Sequence, residues 1–161
     1  MYKLYYYKHQ FITVDRTLEL YFQGCSIRCK DCQNSFLWDQ DEECLKSYTA
    51  ILSELKDYPP IAKAVHILGG EPLNQEDRTM TLFLKYLKDM FPKTPVYLFT
   101  GYDLNEEAVN NFKIYPQFQY VDAVKVGPFD ENDLNINKTI DPILGIALAS
   151  NNQRGIRINH G

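Results

Sequence analysis

Three closely spaced cysteines are the residues of this sequence best suited to metal chemistry. Cys25, Cys29 and Cys32 follow the spacing C-x3-C-x2-C, which places three thiolates on one short loop. A structural zinc site requires four protein ligands, and ferredoxin cysteine runs use other spacings and supply four cysteines. Three cysteines on a [4Fe–4S] cluster leave one iron without a protein ligand, so a small molecule can bind there. The triplet therefore predicts an oxygen-sensitive iron–sulfur centre with an open iron.

A fourth cysteine, Cys44, leaves an alternative open. If Cys44 or a histidine completed a set of four ligands, the triplet would form a zinc knuckle instead. A cysteine outside such a cluster is more commonly a packed or free thiol. His66 lies within an apolar run, where a packing role is expected.

The run from Gly69 to Leu73, with the sequence Gly-Gly-Glu-Pro-Leu, is a second candidate segment. Two adjacent glycines allow the backbone to approach a ligand closely. Glu71 can accept a hydrogen bond from an ammonium group. On its own, such a run is more simply explained as a turn, so its interpretation depends on where the chain places it.

Four short apolar runs, each closed by turn residues, predict parallel strands separated by helices. The runs cover residues 17–23, 64–68, 95–99 and 121–126. Between them, apolar residues at i, i+3, i+4 and i+7 predict two helices over residues 48–55 and 80–91, and Asn105 is a good N-cap for a third.

The predicted strands explain how the candidate segments come together. Carboxyl ends of parallel strands lie at one edge of the sheet, where α/β proteins build their sites. The first strand ends at Gly24 and Cys25, and the second ends at the Gly-Gly-Glu run. We therefore expect both segments, together with residues 100–102 and 127–129, to line one site.

The composition excludes several classes of protein. The chain has 161 residues, 45% of them hydrophobic, and a net charge of −4 without any run of Lys or Arg. This charge argues against a protein that grips nucleic acid through its phosphates. The first residues lack the apolar run of a signal peptide, and no stretch approaches the ~18 apolar residues of a membrane helix. We expect a cytoplasmic protein, and in that reducing compartment clustered cysteines are rarely disulfides.

Several motifs together resemble one superfamily. The cysteine triplet, with Gly24 before it and Asn34 after it, resembles the signature of the radical S-adenosylmethionine (SAM) enzymes, and the Gly-Gly-Glu run resembles their Gly-Gly-Glu/Asp segment. Residues 99–102 (Phe-Thr-Gly-Tyr), 127–129 (Gly-Pro-Phe) and 150–154 (Ser-Asn-Asn-Gln-Arg) narrow the resemblance. In that order, they make nearly the whole chain similar to the activating proteins of anaerobic (class III) ribonucleoside-triphosphate reductases.

The resemblance implies an α/β fold of the radical SAM type, a partial (β/α) barrel with a parallel sheet, formed by residues 1–161 as one domain. It implies that Cys25, Cys29 and Cys32 hold a [4Fe–4S] cluster and carry the catalytic centre, with SAM chelating the open iron. It also implies a set of SAM-binding residues: Asn34, Gly69, Gly70, Glu71, Thr100 and Tyr102.

The implied activity is the reductive cleavage of SAM to methionine and a 5′-deoxyadenosyl radical, which takes hydrogen from a glycine of a partner. The implied partners are the glycyl radical subunit of an anaerobic ribonucleotide reductase and a low-potential electron donor such as flavodoxin, with no nucleic acid and no membrane. Two rival readings remain. One is another radical SAM enzyme, either an activase of the pyruvate formate-lyase type or a small-molecule deazapurine synthase. The other is an iron–sulfur protein that transfers electrons without catalysis, which a fourth ligand such as Cys44 would favour.

Overall fold

The computed structural model describes residues 2–29, 32 and 34–160, and a mixed β-sheet forms its centre. The strands are β1 (Lys3–Ile12), β2 (Thr17–Phe22), β3 (Leu45–Ser47), β4 (Ala64–Gly69), β5 (Val96–Phe99), β6 (Ala123–Val126) and β7 (Arg154–Arg157). They lie in the order β3-β1-β2-β4-β5-β6-β7. The fold is therefore α/β, as predicted.

Short helices connect these strands. The α-helices are α1 (Tyr48–Glu54), α2 (Asp77–Met90) and α3 (Glu106–Val109), and 3-10 helices lie at Ser35–Leu37, Glu42–Cys44, Pro72–Asn74 and Pro116–Tyr120. The side chain of Asn105 accepts a hydrogen bond from the backbone N–H of Ala108, which confirms its predicted role as an N-cap. Even α2, at 14 residues the longest α-helix of the described part, is shorter than the ~20 apolar residues of a membrane span, and no helix there could cross a bilayer.

The four predicted strands are confirmed as the parallel part of the sheet. β2 pairs with β4, β4 with β5, and β5 with β6, all in parallel. The register aligns Phe22 with Gly69 and Phe99 with Lys125. The carboxyl ends of these strands therefore lie along one edge, as the sequence predicts.

The prediction of a parallel sheet needs a correction at both ends, because β1, β3 and β7 pair antiparallel with their neighbours. β1 and β2 are joined by a tight turn at residues 13–16, in which Arg16 adopts a left-handed backbone with φ of 56°. So short a connection reverses the chain and permits only antiparallel pairing. β3 and β7 form the two ends of the described sheet, which is open and not a closed barrel.

One face of the sheet, called here the helix face, is covered by α1 and α2. Alternate side chains of a strand point to opposite faces, and on this face Leu20, Ile67 and Val124 are fully buried. They belong to one apolar cluster with Phe83 of α2 and Ile51 of α1.

The opposite face, called here the site face, is covered by irregular chain. This covering segment, residues 127–153, buries Leu144 and Leu148 against Ala123 of β6 and against aromatic residues of β5. His66 of β4 lies against Phe99, with 4.9 Å between the ring centres, and so has the packing role predicted for it.

Candidate metal centre

A cavity of about 200 Å³ opens at the carboxyl edge of the four parallel strands. Seven of the nine residues predicted to hold the cluster or bind SAM line this cavity: Cys25, Cys29, Cys32, Asn34, Gly69, Gly70 and Glu71. Gly101 and Phe129, from the two other segments expected at the site, line it too. Leu68 of β4, Phe99 of β5 and Lys125 of β6 place the cavity on the site face of the sheet. The structure thus brings the cysteine triplet and the Gly-Gly-Glu run together.

The cysteines lie on a loop, residues 24–38, whose two ends are joined by backbone hydrogen bonds. The N–H of Gly24 donates to the carbonyl of Leu37 at 2.8 Å, and the N–H of Cys25 donates to the carbonyl of Trp38 at 3.0 Å. Within the loop, the N–H of Cys32 donates to the carbonyl of Cys29 at 3.2 Å. This cysteine loop therefore starts and ends beside the cavity.

Gly69 and Gly70, at the end of β4, are needed because other backbone lies directly against them. A Cβ atom on Gly69 would meet the backbone of Phe22 in β2, and Gly70 lies against the cysteine loop. A Cβ atom on Gly70 would be 2.6 Å from the carbonyl oxygen of Gly24 and 2.8 Å from that of Leu37. The N–H of Glu71 donates to the Gly24 carbonyl at 2.8 Å. The close backbone approach expected at these glycines thus occurs between two protein segments.

Glu71 is a buried carboxylate, 1% exposed, held by backbone donors. Its Oε1 accepts from the N–H of Gly101 at 2.7 Å, and its Oε2 accepts from the N–H of Leu73 at 3.0 Å. Burial raises the pKa of Glu71, while these hydrogen bonds and Lys125 act to lower it. Each carboxylate oxygen has two acceptor sites, so Glu71 retains capacity for a further donor in the cavity.

Thr100 and Tyr102 do not line the cavity in the described structure. Thr100 is fully buried, and its hydroxyl accepts from the N–H of Tyr102 at 3.1 Å. The Tyr102 hydroxyl accepts from Nδ2 of Asn74 and shares a hydrogen bond with Ser26, each at 3.0 Å. Both residues thus connect β5 to the segments that carry the site, and their predicted contact with SAM stays a prediction.

The sequence reasoning missed Lys125, which lines the cavity from β6. Its side chain is almost completely buried, and its Nζ donates to the carbonyl of Gly127 at 3.0 Å. Burial lowers the pKa of Lys125 to about 8, whereas Glu71, Cys29 and Cys32 act to raise it. The signal available in the sequence was a lysine inside the apolar run at residues 121–126, because a lysine is almost never fully buried unless it is paired.

The reasoning also missed Trp38, the one tryptophan of the chain, which lines the same cavity. Its indole Nε1 is buried and has no hydrogen-bond partner among the described residues. The guanidinium of Arg28 lies 5.5 Å from the centre of the indole ring and is paired with Asp39 at 2.8 Å. The signal in the sequence was a large amphipathic side chain six residues after the last cysteine of the triplet.

These residues fit an iron–sulfur cluster better than a single ion. No group of three His, Cys, Asp or Glu in residues 2–29, 32 and 34–160 is arranged to ligate one metal ion. A cubane cluster binds each cysteine through a different iron, so its ligands need to share a cavity and not a point. The three cysteines are free thiols that line one cavity.

Cys44 lies apart from this group. It ends the 3-10 helix at Glu42–Cys44 and does not line the cavity in the described structure. Burial, followed by the nearby carboxylates of Asp41 and Glu43, raises the pKa of its thiol. Its surroundings therefore favour a protonated thiol over a metal ligand.

Comparison with known proteins agrees with the chemistry of this cavity. The model of a family described as "4Fe-4S single cluster domain" matches residues 16–145, a span that includes the cysteine triplet, the Gly-Gly-Glu run, Trp38 and Lys125. No curated protein and no solved structure matches the chain.

Proposed function

The chain belongs to the family of 4Fe-4S single cluster domains, and we propose that it is a radical SAM activating enzyme that generates a glycyl radical on an anaerobic ribonucleotide reductase. One observation carries the proposal. The cysteines of the C-x3-C-x2-C triplet and the Gly-Gly-Glu run, which resemble two radical SAM motifs, line a single cavity at the carboxyl edge of the parallel strands. On this proposal, the open sheet is a partial barrel of radical SAM type within one domain.

Three cysteines suit a cluster that binds a substrate. Cys25, Cys29 and Cys32 would hold three irons, and Cys44 does not line the cavity, so one iron stays open for SAM. When bound and reduced, such a cluster supplies the electron that cleaves the sulfonium S–C bond of SAM. The surrounding protein binds SAM, orients it and excludes water.

Two buried charges are placed to orient the methionine end of SAM. Glu71 has free acceptor capacity for the ammonium group of SAM, and the Lys125 ammonium attracts the carboxylate of SAM. Asn34 offers amide donors and acceptors at the same wall. The low exposure of Glu71 and Lys125, 1% and 8%, strengthens both attractions because water screens them little.

The proposed partners follow from the same reaction. A flavodoxin-like donor would reduce the cluster, and the open edge of the cavity would admit the glycine loop of the reductase.

The first test is SAM cleavage by the reconstituted protein. We expect protein loaded anaerobically with iron and sulfide, and reduced with dithionite, to convert SAM to 5′-deoxyadenosine, measured by chromatography. Cys29→Ser should lose the cluster and the product. Cys44→Ser is the matched control and should keep both. A full cluster that leaves SAM intact, even with the reductase present, would contradict the proposal.

The second test addresses the partner. Adding the anaerobic reductase of the same organism to the reduced protein and SAM should produce a glycyl radical signal in electron paramagnetic resonance (EPR). A signal with pyruvate formate-lyase alone would instead identify that type of activase. Repeated turnover of a small molecule without any partner would favour the deazapurine synthases.

Electron transfer is the second candidate, because the family description names a cluster and no substrate. In that case a fourth protein ligand would close the cluster. Loss of the cluster in Cys44→Ser, together with an absence of SAM cleavage, is the result expected for an electron-transfer protein.

A further inference from the structure

The first cysteine of the triplet, Cys25, is tied to the segment after β4 through the peptide groups on both sides of it. The carbonyl of Gly24, which precedes it, accepts the N–H of Glu71 at 2.8 Å. The N–H of Ser26, which follows it, donates to Oδ1 of Asn74 at 2.8 Å. The backbone of Cys25 is therefore held in place by bonds that do not involve its sulfur.

The other two cysteines are held differently. In the part of the chain that the structure describes, the N–H of Cys32 donates to the carbonyl of Cys29 at 3.2 Å, and the carbonyl of Cys32 accepts the N–H of Ser35 at 3.3 Å. Both of these bonds stay within the cysteine loop. Cys25 is thus the ligand whose position relative to Glu71 is set most directly by the fold.

Asn74 is itself fixed relative to Glu71 and to β5. Its backbone N–H donates to the carbonyl of Glu71 at 2.9 Å, within the 3-10 helix Pro72–Asn74. Its Nδ2 donates to the hydroxyl of Tyr102 at 3.0 Å, and this hydroxyl also shares a hydrogen bond with Oγ of Ser26 at 3.0 Å. The amide has only one orientation that fits, because the N–H of Ser26 can only donate and therefore requires Oδ1.

This arrangement gives Asn74 a role that the sequence does not indicate. Asn74 does not line the cavity in the described structure, so it acts through the residues that it holds. We propose that Asn74 is a positioning residue that fixes Cys25, and with it the iron that Cys25 binds, at a set distance from Glu71. The inference rests on the proposed function, in which that distance places the open iron relative to the methionine end of SAM.

The rate of SAM cleavage and the spectrum of the reduced cluster test the proposal together. Because a displacement of about 1 Å can slow a reaction roughly 100-fold, we expect reconstituted Asn74→Leu to form 5′-deoxyadenosine roughly 10- to 100-fold more slowly per cluster at saturating SAM. The change that SAM causes in the EPR spectrum should also be smaller. Asn74→Asp should behave like the wild type, because its carboxylate accepts from both Ser26 and Tyr102. A wild-type rate and spectrum in Asn74→Leu would overturn the proposal.

Asn110→Leu is the matched control. Oδ1 of Asn110 accepts the N–H of Asn159 at 2.7 Å, and its Nδ2 donates to the carbonyl of Glu106 at 2.9 Å, so this amide also joins two segments but does not line the cavity. Its loss should lower stability and leave the rate and the spectrum unchanged. An equal loss of rate in Asn110→Leu would make the effect one of general stability and overturn the proposal. A wild type that leaves SAM intact would instead fail the proposed function, and the inference with it.

A second measurement needs neither cluster nor SAM and covers the case in which Asn74→Leu does not take up iron. In the cluster-free full-length protein, we expect the Ser26 amide to exchange its hydrogen faster in Asn74→Leu than in the wild type, measured by nuclear magnetic resonance, because the bond that protects it is lost. The Cys25 amide, which donates to Trp38, should exchange alike in both proteins. Equal exchange of the Ser26 amide in the two proteins would overturn the proposal.

Discussion

The two faces of the sheet are built in different ways. On the helix face, β-strand residues such as Leu20 and Ile67 pack against Phe83 of α2, and all three are fully buried apolar side chains. On the site face, the same strands carry Lys125 and His66, and irregular chain covers them. Parallel strands buried on both faces are usually apolar throughout. The polar residues on the site face therefore indicate that this face forms a functional site and not a purely apolar core.

This difference indicates how each face is stabilised. The helix face is held by apolar contacts that do not depend on any ligand. The cysteine loop has only Leu37 as a fully buried apolar side chain among its described residues, and backbone hydrogen bonds fix its ends. We therefore expect substitutions on the helix face to change stability, and substitutions at the site to change cluster binding and, on the proposed function, SAM binding.

The largest effect on stability is expected from Phe83→Ala on the helix face. Removing this ring leaves a cavity in the core, and such changes cost about 3–5 kcal/mol. Urea unfolding followed by circular dichroism should show a similar loss with and without the cluster. Tyr86→Ala, on the same helix but with its side chain 41% exposed, is the control and should cost less. Equal losses in the two variants would contradict the described packing of α2.

A smaller effect is expected from Gly70→Ala, which tests how the cysteine loop is seated. The added methyl group would meet two backbone oxygens that cannot easily move, and such overpacking costs roughly 1–3 kcal/mol. We expect fewer iron atoms per chain after reconstitution. Gly101→Ala is the matched control, because its Cβ would approach closely only the flexible end of the Ile27 side chain, at 2.8 Å, and would lie at ordinary contact distance, 3.6 Å, from Oε1 of Glu71. Full cluster loading in Gly70→Ala would show that this contact does not seat the loop.

Lys125→Met tests whether this lysine binds SAM. The substitution leaves the buried Glu71 carboxylate without the nearby ammonium, and removing one partner of a buried charge pair is destabilising, so the unfolding free energy should decrease. SAM binding to the reconstituted protein, measured by calorimetry, should weaken by roughly one to two orders of magnitude, since a hydrogen bond to a charged group contributes about 1.5–3 kcal/mol.

Lys88→Met provides the control for this prediction. The Lys88 ammonium pairs with Asp122 at 2.9 Å and also donates to the carbonyl of Thr94, away from the cavity. Its loss should lower stability and leave SAM affinity unchanged. Normal SAM affinity in Lys125→Met would make Lys125 a structural residue.

The smallest effect is a pH dependence at His66. Burial lowers the pKa of His66, although Glu19 and Asp15 act to raise it. Below the ordinary pKa near 6.5, the unfolded chain takes up a proton that the folded state resists, so stability falls as the pH decreases. Urea unfolding between about pH 7.5 and 5.5 should show a steeper loss for the wild type than for His66→Leu. Parallel curves would show that His66 titrates alike in both states.

The sequence predicts the elements with a regular apolar pattern. The four parallel strands and α2 follow from runs and spacings that place apolar residues on the helix face. β1 and β7 have no such signal, because β1 mixes tyrosines with lysines and β7 has only two buried residues, Gly155 and Ile156, between exposed arginines. Strands of this kind are fixed by pairing with a neighbour, and their own sequence does not predict that pairing.

The sequence predicts the site only in part as well. The cysteine triplet is recognisable from its spacing, and the Gly-Gly-Glu run from its place at the end of a predicted strand, whereas Trp38 and Lys125 become candidates only once the cavity is known. The covering segment has no periodicity either. Side-chain to backbone bonds hold it, such as those from the N–H groups of Leu144 and Gly155 to the carboxylate of Asp141, both at 2.9 Å. The bond from Leu144 is local, whereas the bond from Gly155 joins β7 to a residue 14 positions earlier and cannot be deduced from the sequence.

The hydrogen bonds that join the ends of the cysteine loop have a consequence for repair. The bonds that join Gly24 to Leu37 and Cys25 to Trp38 run between backbone atoms, so no cysteine thiolate takes part in them. If oxygen destroys the cluster, the ends of the loop stay together, and only the chain between them needs to be ordered again. Rebinding of iron and sulfide then does not have to bring the two ends of the loop together, so the entropic cost of closing the loop does not weaken it. We therefore expect oxidative damage at this site to be reversible, with the rest of the sheet folded while iron and sulfide are replaced.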